Sequence, residues 1–141
     1  ICDKLFHKPE RGEFASCLWL DNKKEDEYGL NQLLSKCYEA IILDQACTEP
    51  NDYFKCSLEV DAQMDSDYFS RPEELCARAF EAYIQDAVVK NNFLVKGTLK
   101  SEEAKLGLYP LGEHRLRVNQ AFSNYFNSLG AALQRQEQAG Q

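Results

Sequence analysis

Three charged side chains within residues 68–86, YFSRPEELCARAFEAYIQD, have types and a spacing that could serve chemistry. Glu74, Arg78 and Glu81 stand at positions i, i+4 and i+7, which places them on one side of an α-helix. An arginine one turn away can orient a carboxylate as a metal ligand or a positioned base. The same spacing is typical of a solvated helix face, where each exposed pair contributes only about 0.3–0.5 kcal/mol. The pattern alone favours the solvated face.

We call Glu74, Arg78 and Glu81 the charged strip. The helix that carries them is predicted to be amphipathic. It is expected to begin at Ser70, because Ser70-Arg71-Pro72-Glu73 has the S-x-x-E pattern of a capping box. Pro72 suits the first turn, where its missing N–H leaves no further donor unpaired. Gln85 joins the polar side, and a broad apolar arc lies opposite the charged strip: Leu75, Cys76, Ala79, Phe80, Tyr83, Ile84 and Ala87.

Two further helices are predicted, and the later one is expected to pack against the helix that carries the charged strip. Apolar residues recur every three or four positions over 28–44 and again over 112–135, which predicts a helix in each range. Residues 91–99, NNFLVKGTL, are typical of a short extended segment or hairpin edge. Ser101 is expected to cap a single helical turn after them.

The fold class predicted from these elements is mainly α, with α+β carrying one small hairpin as the open alternative. Residues 1–136 are expected to form a single compact helical domain, followed by a polar tail over 137–141. The chain begins with Ile, not Met, so we interpret it as a fragment of a larger protein. No stretch approaches the roughly 18 apolar residues of a membrane span.

Charge and cysteine usage restrict the partners. A net charge of −7 makes nucleic-acid binding unlikely, because phosphate neutralisation needs clustered Lys and Arg. The densest basic run, HRLR at 114–117, is expected on a solvated helix face. Six cysteines without a C-x-x-C pair favour reduced thiols in a cytoplasmic protein. Cys37 and Cys76 are predicted on apolar helix faces, and the loop thiols Cys47 and Cys56 would be the exceptions to the reduced state.

Three motifs carry a resemblance to a known family. They are YFSRPEELCARAFEAYIQD at 68–86, NNFLVKG at 91–97 and YPLGEHRLRVNQAF at 109–122. In this order they resemble the first family of large polyvalent protein-associated domains of phages and plasmids, over about residues 64–126. Cys76 departs from the family pattern, where an aromatic residue is more typical.

The resemblance implies a domain inside a very long protein of a mobile element, delivered with the DNA or acting early in the new host. The helix around Glu74 is also similar to the downstream helix of zincin-like metallopeptidases, in which a Glu completes a zinc site begun by His-Glu-x-x-His. On that similarity Glu74 would be the third zinc ligand. Zinc hydrolysis needs three protein ligands, an open water position and a general base.

This chain lacks such a set, because its only histidines, His7 and His114, have no His-Glu-x-x-His spacing. We therefore expect a non-catalytic interaction module with a protein partner, no cofactor and no membrane contact, in the bacterial cytoplasm. The alternative is the C-terminal portion of a zincin-like metallopeptidase domain whose His-Glu-x-x-His helix lies outside this chain. There Glu74 would bind zinc, supported by Arg78 and Glu81. Catalytic residues stay unassigned.

Overall fold

A computed structural model describes residues 14–22, 29–87 and 98–140, and six helices lie within these ranges. We number them α1 Ala15–Asn22, α2 Gly29–Ile42, α3 Asp52–Met64, α4 Pro72–Asp86, α5 Glu102–Lys105 and α6 Gly112–Ala139. These described ranges contain no β-strand, and Leu43 and Pro50 form an isolated antiparallel bridge in the turn before α3. The mainly α prediction, a single compact helical domain, is confirmed; most of the predicted hairpin edge at 91–99 lies outside the described residues.

The core lies where α2, α4 and α6 meet, with α2 running along α6 and α4 packing against both. On the α4–α6 side, the rings of Phe80 and Tyr83 contact those of Phe122 and Phe126, with centroids 5.3–6.0 Å apart. Such aromatic pairs add stabilisation beyond the area they bury. The fully or nearly fully buried core side chains are Leu34, Cys37, Tyr38, Ile41, Ile42, Tyr53, Leu75, Ala79, Val118, Phe122 and Tyr125.

The long helices agree with the hydrophobic periodicity. Helix α2 lies within the predicted 28–44, and α6 begins at Gly112 as predicted. Helix α6 continues to Ala139, four residues beyond the predicted end, through exposed polar side chains. The sequence pattern does not predict α3, because its apolar residues alternate too weakly to distinguish a strand from a helix. No helix in the described part of the chain is both long and apolar enough to cross a membrane.

Asn51 is the N-cap residue of α3, and its amide group joins two helix ends. Its Oδ1 accepts a hydrogen bond from the backbone N–H of Phe54 at 2.9 Å, which caps α3. Its Nδ2 donates to the carbonyl oxygens of Ile41 at 2.8 Å and Leu43 at 3.1 Å, at the end of α2. Asn51 therefore satisfies polar groups that both helices would otherwise leave unpaired.

The two predicted serine caps have different outcomes. Ser101 caps α5, accepting from the N–H of Ala104 at 3.2 Å, as predicted. The capping box at Ser70 is wrong: α4 begins at Pro72, and its N-cap residue, Arg71, makes no side-chain capping bond. The reason is a tertiary contact, because the backbone N–H of Ser70 donates to Asp61 Oδ2 of α3 at 2.8 Å.

The predicted helical positions of Cys37 and Cys76 are confirmed, whereas the prediction that Cys56 lies in a loop is wrong, because Cys56 belongs to α3. Cys37 is buried in the core, and Cys76 is partly buried against it. The five cysteines in the described ranges, 17, 37, 47, 56 and 76, form no disulfide. The reduced state itself stays a prediction.

Candidate functional site

The segment before α4 is fixed by Asp61, and this sets the geometry beside the charged strip. The buried Asp61 carboxylate accepts from Ser66 Oγ at 3.1 Å, from the N–H of Phe69 at 3.0 Å and from that of Ser70. Burial alone would raise the pKa of Asp61, but hydrogen bonds from Ser70, Phe69 and Ser66 outweigh it and hold the pKa below its ordinary value. The charged form is therefore the one that fixes this segment.

Arg78 is not part of a solvated face, and this prediction is wrong. Its side chain is 8% exposed and reaches between three segments of the chain. Its Nε donates to the carbonyl of Leu108 at 2.8 Å, and its Nη2 donates to Ser57 Oγ at 3.0 Å and to the carbonyl of Phe69 at 2.6 Å. The guanidinium thus joins α4 to α3, to the segment before α4 and to the segment after α5, instead of bridging two carboxylates.

The physical reason is a rotation of the buried face of α4. Its buried residues are Leu75, Arg78, Ala79 and Ala82, a stripe centred about a quarter of a turn from the centre of the predicted apolar arc. The sequence-based prediction assumed that only one side of α4 packs against other segments. Helix α3 and the 108–110 segment cover a second side, and Arg78 faces them.

The two glutamates of the charged strip each meet a tyrosine. Tyr109 Oη donates to Glu81 Oε2 at 2.9 Å. A side-chain hydrogen bond to Glu74 raises the pKa of Tyr68. Burial, reinforced by the bond to Glu81, raises the pKa of Tyr109 to about 12. We call these four residues, Tyr68, Glu74, Glu81 and Tyr109, the tyrosine–glutamate surface.

This arrangement is suited to binding and not to nucleophilic attack. Both phenols have pKa values above their ordinary range, so at neutral pH they stay protonated and donate hydrogen bonds. Each glutamate keeps acceptor positions beyond the one its tyrosine occupies, because a carboxylate offers about four lone-pair sites. The described ranges contain no group of three His, Cys, Asp or Glu side chains placed to hold a metal ion.

A second buried arginine, Arg115, was missed because HRLR was expected on a solvated face. Arg115 is 5% exposed and binds both carboxylate oxygens of Asp86, Nε to Oδ2 at 2.6 Å and Nη2 to Oδ1 at 2.9 Å. Its hydrogen bonds are the main cause of the lowered pKa of Asp86. Arg115 Nη2 also donates to Thr98 Oγ1, which donates in turn to Gln85 Oε1. A signal was present, since Arg115 precedes the buried Val118 and Phe122 by three and seven positions.

The histidines do not extend the charged strip. His114 lies in the first turn of α6, and its Nε2 is 2.7 Å from the carbonyl oxygen of Ala40. A carbonyl only accepts, so we assign the hydrogen to Nε2. Burial lowers the pKa of His114, which keeps the ring neutral at pH 7. His7 lies outside the described residues.

Comparison with known proteins identifies a family. The model of the family called large polyvalent protein-associated domain 1 matches residues 60–133 of the 141. The match includes α4, both tyrosines of the tyrosine–glutamate surface and both buried arginines. No curated protein and no solved structure matches the chain significantly.

Proposed function

Because the chain belongs to the large polyvalent protein-associated domain 1 family, we propose that it is a non-catalytic interaction module of a phage- or plasmid-encoded polyvalent protein. It acts in the bacterial cytoplasm and binds a protein partner through the tyrosine–glutamate surface. One observation carries this proposal: the arginine of the charged strip is used inside the fold, and the two glutamates are left beside tyrosine hydroxyls.

The chemistry of the surface suits a protein partner. Tyrosine is enriched at protein interfaces because its ring gives contact area and its hydroxyl still finds a hydrogen-bond partner. Tyr68 is 48% exposed, so about half of the residue's surface remains available for contact. Arg78 anchors the surrounding segments, which limits the conformational entropy that binding would cost.

A crosslinking experiment tests this proposal at Ala77, an exposed residue one turn from Glu74 and from Glu81. A photoreactive benzoylphenylalanine at position 77 should give a discrete crosslinked partner in bacterial cells, whereas the same group at the exposed Gln134 should not. Binding of that partner, once purified, should weaken about tenfold or more in the Glu74→Gln/Glu81→Gln double variant.

Two results would contradict the proposal. One is the same crosslinks from positions 77 and 134. The other is partner binding that does not change in a double variant whose unfolding free energy equals that of the parent.

The metallopeptidase alternative keeps Glu74 as a single candidate zinc ligand, so the other ligands would come from another part of the protein. A zinc titration of the reduced chain, with Glu74→Ala and an all-Cys-to-Ser variant beside it, distinguishes the two. Zinc binding that persists without thiols and disappears in Glu74→Ala would favour the alternative. Binding lost with the thiols alone would identify cysteine ligation, which says nothing for a peptidase.

A further inference from the structure

An apolar groove lies between α2, the turn at 43–50 and the middle of α6, and it shares no residue with the tyrosine–glutamate surface. Its volume is 400 Å³, within the range of small ligand sites. Its apolar lining comes from Leu33, Ala40 and Ala121. A smaller cavity of 230 Å³ adjoins it, and Asp44 and Arg117 line both.

The two carboxylates of the groove are already engaged. Glu39 Oε2 accepts from Lys36 Nζ at 2.9 Å. Asp44 Oδ1 accepts from the backbone N–H of Thr48 at 2.9 Å, and its Oδ2 accepts from the Thr48 hydroxyl at 3.3 Å. The Thr48 N–H is the main cause of the lowered pKa of Asp44. Both carboxylates therefore accept hydrogen bonds within their own segments, which offsets part of their repulsion of an anion.

Arg117 is different, because it makes no hydrogen bond or ion pair with any residue in the described ranges. It is partly exposed and lines both cavities. The neighbouring amides of Gln120 and Asn124 bond to each other, Nε2 to Oδ1 at 2.9 Å, and neither bonds to Arg117. A chain with a net charge of −7 thus presents an unpaired guanidinium beside an apolar groove.

The smaller cavity determines the side from which a negative group can approach. Glu49 and Asp52 line it and repel an anion there, with Lys55 as the opposing charge. In the larger groove Lys36 and Arg117 balance Glu39 and Asp44, whose carboxylates are engaged. A carboxylate would therefore reach Arg117 from the larger groove.

From this charge distribution we propose that the groove binds a peptide segment of a protein partner that carries a carboxylate next to an apolar side chain. The apolar side chain lies on Leu33, Ala40 and Ala121, and the carboxylate binds Arg117. Guanidinium and carboxylate match in geometry, since two parallel N–H···O bonds can form between them. This site is independent of the proposed contact surface, so either can fail without the other.

The test uses the full chain labelled with ¹⁵N and three blocked tetrapeptides, Leu-Leu-Xaa-Leu, with Glu, Gln or Lys at Xaa. The Glu peptide should shift the amide signals of Leu33, Ala40 and Ala121, and it should bind about fivefold more tightly than the Gln peptide. The Lys peptide should bind more weakly than both. In Arg117→Gln the Glu and Gln peptides should bind equally, whereas Arg135→Gln, an exposed arginine outside the groove, should keep the preference.

Several outcomes overturn the proposal. They are no shifts at the groove at about 5 mM Glu peptide, equal affinity of the parent for the Glu and Gln peptides, or a preference for Lys. Shifts confined to Tyr68 and Tyr109 would do so too. The peptide comparison needs only the parent chain, so it stands even where Arg117→Gln changes the fold.

Discussion

Arg78 and Arg115 are both buried, and the groups that accept their hydrogen bonds differ in charge. Arg115 faces a carboxylate and forms a two-bonded ion pair with Asp86. Arg78 faces neutral acceptors, two of them the carbonyl oxygens of Leu108 and Phe69. The guanidinium of Arg78 also lies over the rings of Tyr53 and Phe69, with 5.7 and 5.5 Å to the centroids, where the ring faces attract a cation.

The difference lies in what each arginine depends on. Much of the energy of an ion pair comes from the attraction between opposite charges, so this energy decreases when the acid of the pair is protonated. A cation held by backbone carbonyls depends on where those carbonyls lie, and its energy does not change with the ionisation of a single partner. The stabilisation that Arg78 contributes therefore depends on the relative positions of three chain segments. The stabilisation that Arg115 contributes depends on the ionisation of Asp86.

The largest effect is expected for Arg78→Met, which keeps the apolar stem and removes the donors. The carbonyls of Leu108 and Phe69 then lose a partner in a buried site, and each unsatisfied group costs about 1–3 kcal/mol. We expect a loss of about 3 kcal/mol in the free energy of unfolding, measured with urea. Arg71→Met is the control, because the Arg71–Asp67 pair is exposed and should give no measurable change. An unchanged Arg78→Met would show that the fold does not need these bonds.

Asp86→Asn comes second, at about 1–2 kcal/mol, because Asp86 is one-third exposed and its pair with Arg115 is partly screened. The folded-state pKa of Asp86 lies below its unfolded value. Its stabilisation is therefore present above about pH 4 and is lost as the pH falls through the folded pKa. The stability difference between parent and Asp86→Asn should begin to close as the pH falls below about 4 and continue to close through the folded pKa of Asp86, whereas that for Arg78→Met should not close with it. Parallel closure of both would remove the distinction between the two arginines.

The third effect concerns Gly107. It directly precedes Leu108, whose carbonyl oxygen accepts a hydrogen bond from Arg78. Gly107 has φ +76°, and an added Cβ would lie 3.0 Å from Cys56 Sγ. Gly107→Ala should cost about 1–2 kcal/mol, from backbone strain and from that contact. Gly112→Ala, at φ +57° with open space around it, should show the strain alone. Thermal unfolding of both variants compares the two costs, and equal losses at 107 and 112 would rule out the contact. Cys56→Ala in the Gly107→Ala background should recover only part of the loss, because it removes the 3.0 Å contact with Sγ and keeps the 3.2 Å contact with Cβ.

The smallest effect on stability, below about 1 kcal/mol, is expected for Glu81→Gln. The pKa of Tyr109, raised to about 12, should fall but stay above 10, because burial is its larger cause. Since the folded pKa exceeds the unfolded one, this contribution is present below about pH 10 and is lost as the pH rises toward 12. A ¹³C-tyrosine NMR titration, assigned with Tyr109→Phe, measures the shift. An unchanged pKa in Glu81→Gln would mean that burial alone raises it.

Sequence reasoning succeeded where one segment determines the outcome. The periodicity of α2 and α6 and the serine cap at Ser101 depend on neighbours within about one turn, and the structure confirms them. It failed at Ser70, which has the better capping pattern, because Asp61 takes its backbone N–H. A residue nine positions earlier is outside any local pattern.

The candidate site shows the same limit. The sequence brought Glu74, Arg78 and Glu81 to one side of one helix, but their partners are Tyr68, Ser57, Leu108 and Tyr109, from other segments. A helical wheel gives the angle of each side chain and not the number of neighbours around the helix. The wheel therefore gave Arg78 a nearly correct angular position on α4, but the prediction that this position faces solvent was wrong.

Asn51 has a consequence for how the chain opens. One amide holds the last carbonyls of α2 and the first turn of α3 together, so neither helix end can separate from the turn without releasing the other. Amide hydrogens at the two ends should therefore exchange with solvent in a single cooperative event, with similar protection. A turn with six exposed residues in a row, 45–50, would then be as slow to open as the helices that it connects.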